Sequence, residues 1–214
     1  ANNITFNNGE SQKAWLPISK FAGTFDGQGH VIRNLTLAKT WNSGIFGRVG
    51  FAGVVKNVAF VSVINHAYGG YIADSVCGTV ENVYVEGVCT QTAYTTLGNT
   101  GTLFVKDIGY EKATMQNITV LATGDWTDYN RALAVAGTAM DGTTVVIGAA
   151  ENRILGAYTT IAEVQAANSN IQCYSTIKKA AESALKQNGS VTFAAEGNVF
   201  SIHFGGTCIY EEDI

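Results

Sequence analysis

The chain of 214 residues carries 13 Lys and Arg against 17 Asp and Glu, a formal net charge of −4, with 46% apolar and 14% charged residues. That length suffices for one large domain with a sizeable core, and the low charge, 24 Gly and single Pro exclude a disordered segment. The negative balance gives no general attraction to nucleic acid or an anionic membrane, and no apolar run approaches the roughly 20 residues that span a bilayer.

The chain opens at Ala1 without Met or an apolar signal segment and reads as a mature or excised piece. Ile4-Thr5-Phe6 reads as a strand already under way, with Asn3 an earlier rung of the pattern that follows. A loop then ends in Trp15-Leu16-Pro17-Ile18, where Trp15 is expected to plug an open end. From Phe21 to Val63 one phrase occurs twice: Val31-Ile32-Arg33-Asn34-Leu35-Thr36-Leu37 and Val54-Val55-Lys56-Asn57-Val58-Ala59-Phe60. It returns as Val80-Glu81-Asn82-Val83-Tyr84-Val85 and as Met115-Gln116-Asn117-Ile118-Thr119-Val120. The asparagines are spaced by 23, 25 and 35 residues. Such periods signal a solenoid whose units bury their apolar faces on one another. Alternation within each phrase predicts a strand with one face buried. The asparagines are then expected at one place in every turn, as a structural ladder of hydrogen-bonded carboxamides.

A second phrase precedes each of these: Ser43-Gly44-Ile45-Phe46-Gly47, Gly69-Gly70-Tyr71-Ile72-Ala73, Gly101-Thr102-Leu103-Phe104-Val105 and, more weakly, Arg131-Ala132-Leu133-Ala134-Val135. Two strands per turn are expected. Gly-Ile-Phe-Gly paired with a downstream Val-Lys-Asn-Val, behind Trp-x-Pro-Ile and Phe-x-Gly-Thr-Phe-Asp-Gly-x-Gly-His, resembles the GLUG-repeat family. The resemblance covers about Trp15 to Gly87 and fades after Gly124. It implies a β-helical segment of a bacterial surface protein, as in adhesin-like proteins and the non-catalytic regions of immunoglobulin A proteases.

The longest interval, Asn82 to Asn117, requires an insertion, within Thr90 to Thr96 or around Lys106-Asp107. The repeats are expected to run to Gly148, after which Thr160-Ile161-Ala162-Glu163 reads as a capping box opening a short helix. A second helix is capped by Ser175 or Thr176, buries Ile177, Ala181, Ala184 and Leu185, and stops at Gly189. Val191 to Ala195, Val199 to Phe204 and Cys208 to Tyr210 follow as short strands. The expected fold is therefore all-β: a right-handed parallel β-helix over 1–150 with a small α+β C-terminal cap over 151–214, docked on the last coil.

Cys77, Cys89, Cys173 and Cys208 match no metal or redox motif, and His30, His66 and His203 supply no zinc spacing. No cofactor or metal is called for. Cys77 and Cys89 flank one predicted strand that would hold them about 30 Å apart, too far to bridge. Buried free thiols are the expectation, with a Cys173–Cys208 bridge left open.

Catalysis on a β-helix would need paired carboxyls on adjacent coils. Of Asp26, Asp74, Glu81, Glu86, Asp107, Glu111, Asp125, Asp128 and Asp141, only Glu81 falls in a phrase, and Arg33, Lys56 and Gln116 occupy its offset. That stripe reads as solvated surface. Asp26-Gly27-Gln28-Gly29-His30 reads as a corner in which Asp26 accepts backbone N–H bonds, and Lys106, Asp107, Glu111 and Lys112 as a solvated cluster. Binding falls instead to loop aromatics: Trp41, Tyr68, Tyr94, Trp126 and Tyr129, with Trp126-Thr127-Asp128-Tyr129 the leading patch. The expected binding set is Trp126, Asp128, Tyr129, Trp41 and Tyr94. The expectation is a non-enzymatic extracellular module of a microbial surface protein that binds a cell-surface glycan or protein, alone or in a homo-oligomer or larger surface assembly. Alternatives are a phage virion fibre or decoration protein and a polysaccharide lyase or hydrolase.

Overall fold

The computed structural model describes residues 2–6, 13–38, 44–65, 70–89, 105–108, 113–124, 140–141, 143–147, 171–174, 177–182, 187 and 189–214. These residues are overwhelmingly β, with one short helix, α1 (Ile177–Glu182). The main sheet is parallel and curled. Its strands run β1 (Ile4–Thr5), β3 (Thr24–Arg33), β6 (Val54–Asn65), β8 (Thr79–Cys89), β10 (Thr114–Gly124), β12 (Thr143–Ile147) and β13 (Ile171–Tyr174) in order along the sheet. Short strands β2 (Ala14–Trp15), β4 (Thr36–Leu37) and β11 (Met140–Asp141) pair at its flanks.

One column of paired positions passes through the whole sheet: Ile4, Ile32, Phe60, Val85, Val120, Val145 and Cys173. The steps between them are 28, 28, 25, 35, 25 and 28 residues. The parallel ladder thus continues beyond Gly148, where the repeat was expected to stop. A second strand does occur, but three or four residues later than expected: β5 (Phe46–Val49), β7 (Ala73–Val76) and β9 (Val105–Ile108) begin where the phrases at 43–47, 69–73 and 101–105 end, and they form a separate parallel sheet. Lys106 and Asp107 belong to β9, so they are not the looped-out insertion. The other candidate, 90–96, lies outside the described residues, as do the expected helix at 160–167 and the phrase at 131–135.

The inner core lies between these two parallel sheets. Val55, Val58 and Phe60, then Val80, Val83 and Val85, then Met115, Ile118 and Val120 face Phe46, Val49, Ile72 and Val76. Each triplet is spaced by three and then two, although strict alternation would require twos throughout. The residue that resets the phase is the asparagine: Asn57, Asn82 and Asn117 have φ of 53°, 52° and 50°. A left-handed residue turns the strand through a corner, and Asn tolerates it because its short carboxamide bonds locally. Trp15 faces inward as well, edge-on to Phe6 at 5.6 Å, and donates its indole N–H to Ile45 O at 3.0 Å. It is a rung of the core beside the first turn.

The last three strands, β14 (Val191–Glu196), β15 (Val199–Phe204) and β16 (Thr207–Asp213), form an antiparallel sheet. The predicted strands and the helix before them are present. Their position departs from expectation. The antiparallel sheet lies along the outer flank of the parallel sheet, not on the end of the stack. Val191, Phe193, Phe200, Ile202, Phe204 and Ile209 pack on Val31, Ala59, Val61, Tyr84 and Leu121, which belong to four successive rungs. The reason is legible in the register: past the Asn corner, the outward row Val31, Ala59, Tyr84 is apolar or aromatic and must be covered.

Candidate functional site

Two groups of polar side chains are held by this scaffold. The first is the corner column. Asn82 Nδ2 donates to Asn57 Oδ1 at 2.8 Å, and Asn57 Nδ2 donates to Asp26 Oδ1 at 3.0 Å. Asp26 Oδ1 also accepts the Gln28 N–H at 3.0 Å, as expected for a corner aspartate. These bonds, led by that of Gln28 and then Asn57, hold the Asp26 carboxyl below its ordinary value of 3.8. Lys56 Nζ lies 3.7 Å from Asp26 Oδ2, a half-exposed pair that adds little.

The register corrects two sequence assignments. Gln28, itself left-handed at φ 53°, lies in the segment opposite Asn57, because β3 holds extra residues between Asp26 and His30. Asn34 therefore does not join the column. It occupies a second corner, adjoining Val61 O through its own N–H at 3.0 Å and level with left-handed Ser62. Asn3 is not a rung of the column either; it lies level with Val31, whose N–H its Oδ1 accepts at 2.9 Å. Likewise the charged stripe is Asp26, Lys56, Glu81 and Gln116, while Arg33 pairs with Val61 and sits elsewhere.

The C-terminal segment completes the column from outside. Ser190 N–H donates to Asn82 Oδ1 and Ser190 Oγ accepts from Asn82 Nδ2 at 2.8 Å. Gly189 precedes it at φ 61°, and a Cβ there would overlap Asn82 Oδ1. In the sequence Gly189 reads only as a helix stop. Its contact with Asn82, more than a hundred residues earlier, has no local signature.

The second group lies beneath the antiparallel sheet. Glu86 follows Tyr84 on the outward face of β8; its Oε2 and the Tyr84 hydroxyl are buried with no hydrogen-bond partner among the described residues. Burial pushes the Glu86 carboxyl up to about 7, against the pull of the Arg33 guanidinium and the Ser62 backbone N–H. Burial raises the Tyr84 phenol well above its usual range, with Glu86 and Tyr210 adding to the effect. Tyr210 on β16 donates to Glu212 Oε2 at 2.6 Å; burial raises its pKa first, then that bond and the two carboxylates. Glu86 had been counted only as one acid among nine. Its neighbours Tyr84 and Leu121 pack against the C-terminal sheet.

The predicted binding residues Trp41, Tyr94, Trp126, Asp128 and Tyr129 lie outside the described residues. Cys77 is buried and accepts from Arg48 Nη2 at 3.1 Å, whereas Cys208 is an exposed free thiol, so no bridge joins it to Cys173. Among the described residues no cluster of three or more His, Cys, Asp or Glu is placed to hold a metal ion, and no helix is long and apolar enough to cross a membrane. Comparison with protein-family models, curated proteins and solved structures finds no match.

Proposed function

We propose that the chain is a right-handed parallel β-helix of GLUG-like coils serving as a non-enzymatic extracellular module of a microbial surface protein. In this reading it binds a cell-surface glycan or protein through loops, with Trp126, Asp128 and Tyr129 as the principal contacts and Trp41 and Tyr94 beside them. The observation that carries it is the continuous parallel register from Ile4 to Cys173, in steps of 25 to 35 residues, with the asparagine corner repeated at Asn57, Asn82 and Asn117. A rigid scaffold of this kind leaves recognition to the loops between rungs.

The chemistry of the carboxyls favours a module without catalysis. Asp26 and Glu81 share one row with Lys56 between them, about 10 Å apart at the usual strand spacing. Yet Asp26 is bound to two donors and held below its ordinary pKa, the opposite of what a proton-donating acid needs. Glu86, whose pKa is raised, is largely buried beside Tyr84 and Leu121, which pack on the antiparallel sheet. The test is a glycan and cell-surface binding screen run beside reducing-end and unsaturated-uronate assays on a polysaccharide panel. Saturable binding without turnover is expected; turnover abolished by Asp26→Ala or Glu81→Ala would replace the module with an enzyme.

A further inference from the structure

The outer face of the parallel sheet carries a carboxyl group in a setting that favours its neutral form. Glu86 pairs in register with Leu121 on one side and adjoins the irregular Val61-Ser62 segment of β6 on the other. Among the described residues, the groups that face it are few. From β3 comes the Arg33 guanidinium, from β6 the Ser62 N–H, from its own strand the Tyr84 hydroxyl, and from β16 the Tyr210 hydroxyl, already committed to Glu212. Its row partner Leu121 belongs to an apolar cluster with Val191, Phe193, Phe200, Ile202 and Phe204. Glu86 Oε2 is buried without a hydrogen-bond partner among the described residues, and so is the Tyr84 hydroxyl two residues before it. An interface whose polar atoms are incompletely satisfied gives up little of its hydrogen bonding on separation.

We propose that the antiparallel sheet β14–β16 is a pH-gated cover, held on the outer face of the parallel sheet while Glu86 is protonated and loosened when Glu86 ionises. An ionised Glu86 would be a charge in a largely apolar interface, offset among the described residues by the Arg33 guanidinium and the Ser62 N–H, with the Glu212 carboxylate carried on the cover itself. Lifting the cover returns Glu86 to water, where its ordinary value is 4.5; under the cover it is pushed up to about 7. The covered form therefore binds the proton more tightly. Its advantage is complete below the lower value, declines as pH rises between the two, and is lost above about 7. Lifting would uncover the row Val31, Ala59 and Tyr84 together with Leu121 of the fourth rung, and would break the clasp of Ser190 on Asn82.

Amide hydrogen exchange of the whole chain, followed by mass spectrometry and corrected for the intrinsic pH dependence of exchange, reads this directly. Between about pH 5 and about pH 8, protection of residues 191–213 is expected to fall at least about tenfold, because each pH unit in the window changes the equilibrium by up to about tenfold. Protection of Val54–Asn65 should stay level over the same range. Glu86→Gln keeps the shape and removes the titration, so its 191–213 protection should be flat with pH. An unaltered decline in that variant, or no decline in the native chain, would overturn the proposal. Should Glu86→Gln not fold, carbon-detected NMR titration of the native Glu86 carboxyl decides: a midpoint near 7 coinciding with the loss of protection supports the cover, and one near the ordinary 4.5 ends it.

Discussion

Asn82 and Asn57 stand on successive rungs with the carboxamide of one donating to the other at 2.8 Å, and both hold the left-handed backbone that turns their strands. The side chain and the backbone of each therefore do different jobs at one position. The carboxamide links rungs, and the φ makes the corner.

Substitutions at Asn57 separate the two. Asn57→Gly keeps the left-handed backbone and loses the bonds to Asp26 and Asn82, an expected cost of about 1–3 kcal/mol. Asn57→Leu loses the same bonds and adds the left-handed penalty of about 1–2 kcal/mol. Urea midpoints should fall in the order native, Gly, Leu. Equal midpoints for Gly and Leu would mean that the corner is set by its surroundings.

Asp26 ties the column to pH. Its folded pKa is depressed, so its contribution to stability is present above the ordinary 3.8 and is lost as pH falls through the lower folded value. Asp26→Asn retains an oxygen acceptor and no longer titrates. The drop in urea midpoint between about pH 5 and about pH 3 should be smaller in the variant than in the native chain; an identical drop assigns the acid sensitivity elsewhere.

The clasp at the C-terminal turn is tested by Gly189→Ala. The new Cβ meets Asn82 Oδ1 and sits at φ 61°, so a loss above about 1 kcal/mol is expected. Ser190→Ala removes one acceptor and should cost about 0.5–1.5 kcal/mol. Chemical denaturation gives both values, and a Gly189→Ala protein as stable as the native one would show that the turn is not seated on the column.

Trp126 and Tyr129 carry the proposed recognition. Replacing both with Ala should leave the thermal midpoint within a few degrees, since exposed sites change stability by under about 0.5 kcal/mol. Binding to the glycan or protein partner should weaken about tenfold or more, the effect of losing about 1.4 kcal/mol. Calorimetry and a binding titration on the same preparation distinguish loop contacts from core residues: unfolding of the double variant would place the rings inside.

The grammar of a rung is local. An inward apolar residue, a polar one, Asn, then two more inward apolar residues is a local pattern, and burial enforces it wherever it occurs, as at Val55 to Phe60 and Val80 to Val85. The second sheet, the final strands and the helix before them follow from local pattern in the same way. Asn amid strand formers was itself a mark of the corner, since the type is disfavoured in extended backbone. What the grammar leaves open is which corner a given Asn occupies. Ile32 to Leu37 and Val55 to Phe60 read alike, yet Asn34 lies level with Ser62 and Asn57 stacks under Asn82, because the residues between Asp26 and His30 shift one rung against the next. Tertiary structure also decided that the last three strands lie along the flank. Val31, Ala59, Tyr84 and Leu121 come from separate rungs and form an apolar strip only after stacking, so no stretch of sequence displays it. Glu86 is likewise a matter of tertiary structure: its row partner Leu121 and its strand neighbour Tyr84 pack on a sheet that begins a hundred residues later, and burial there drives its carboxyl toward neutrality.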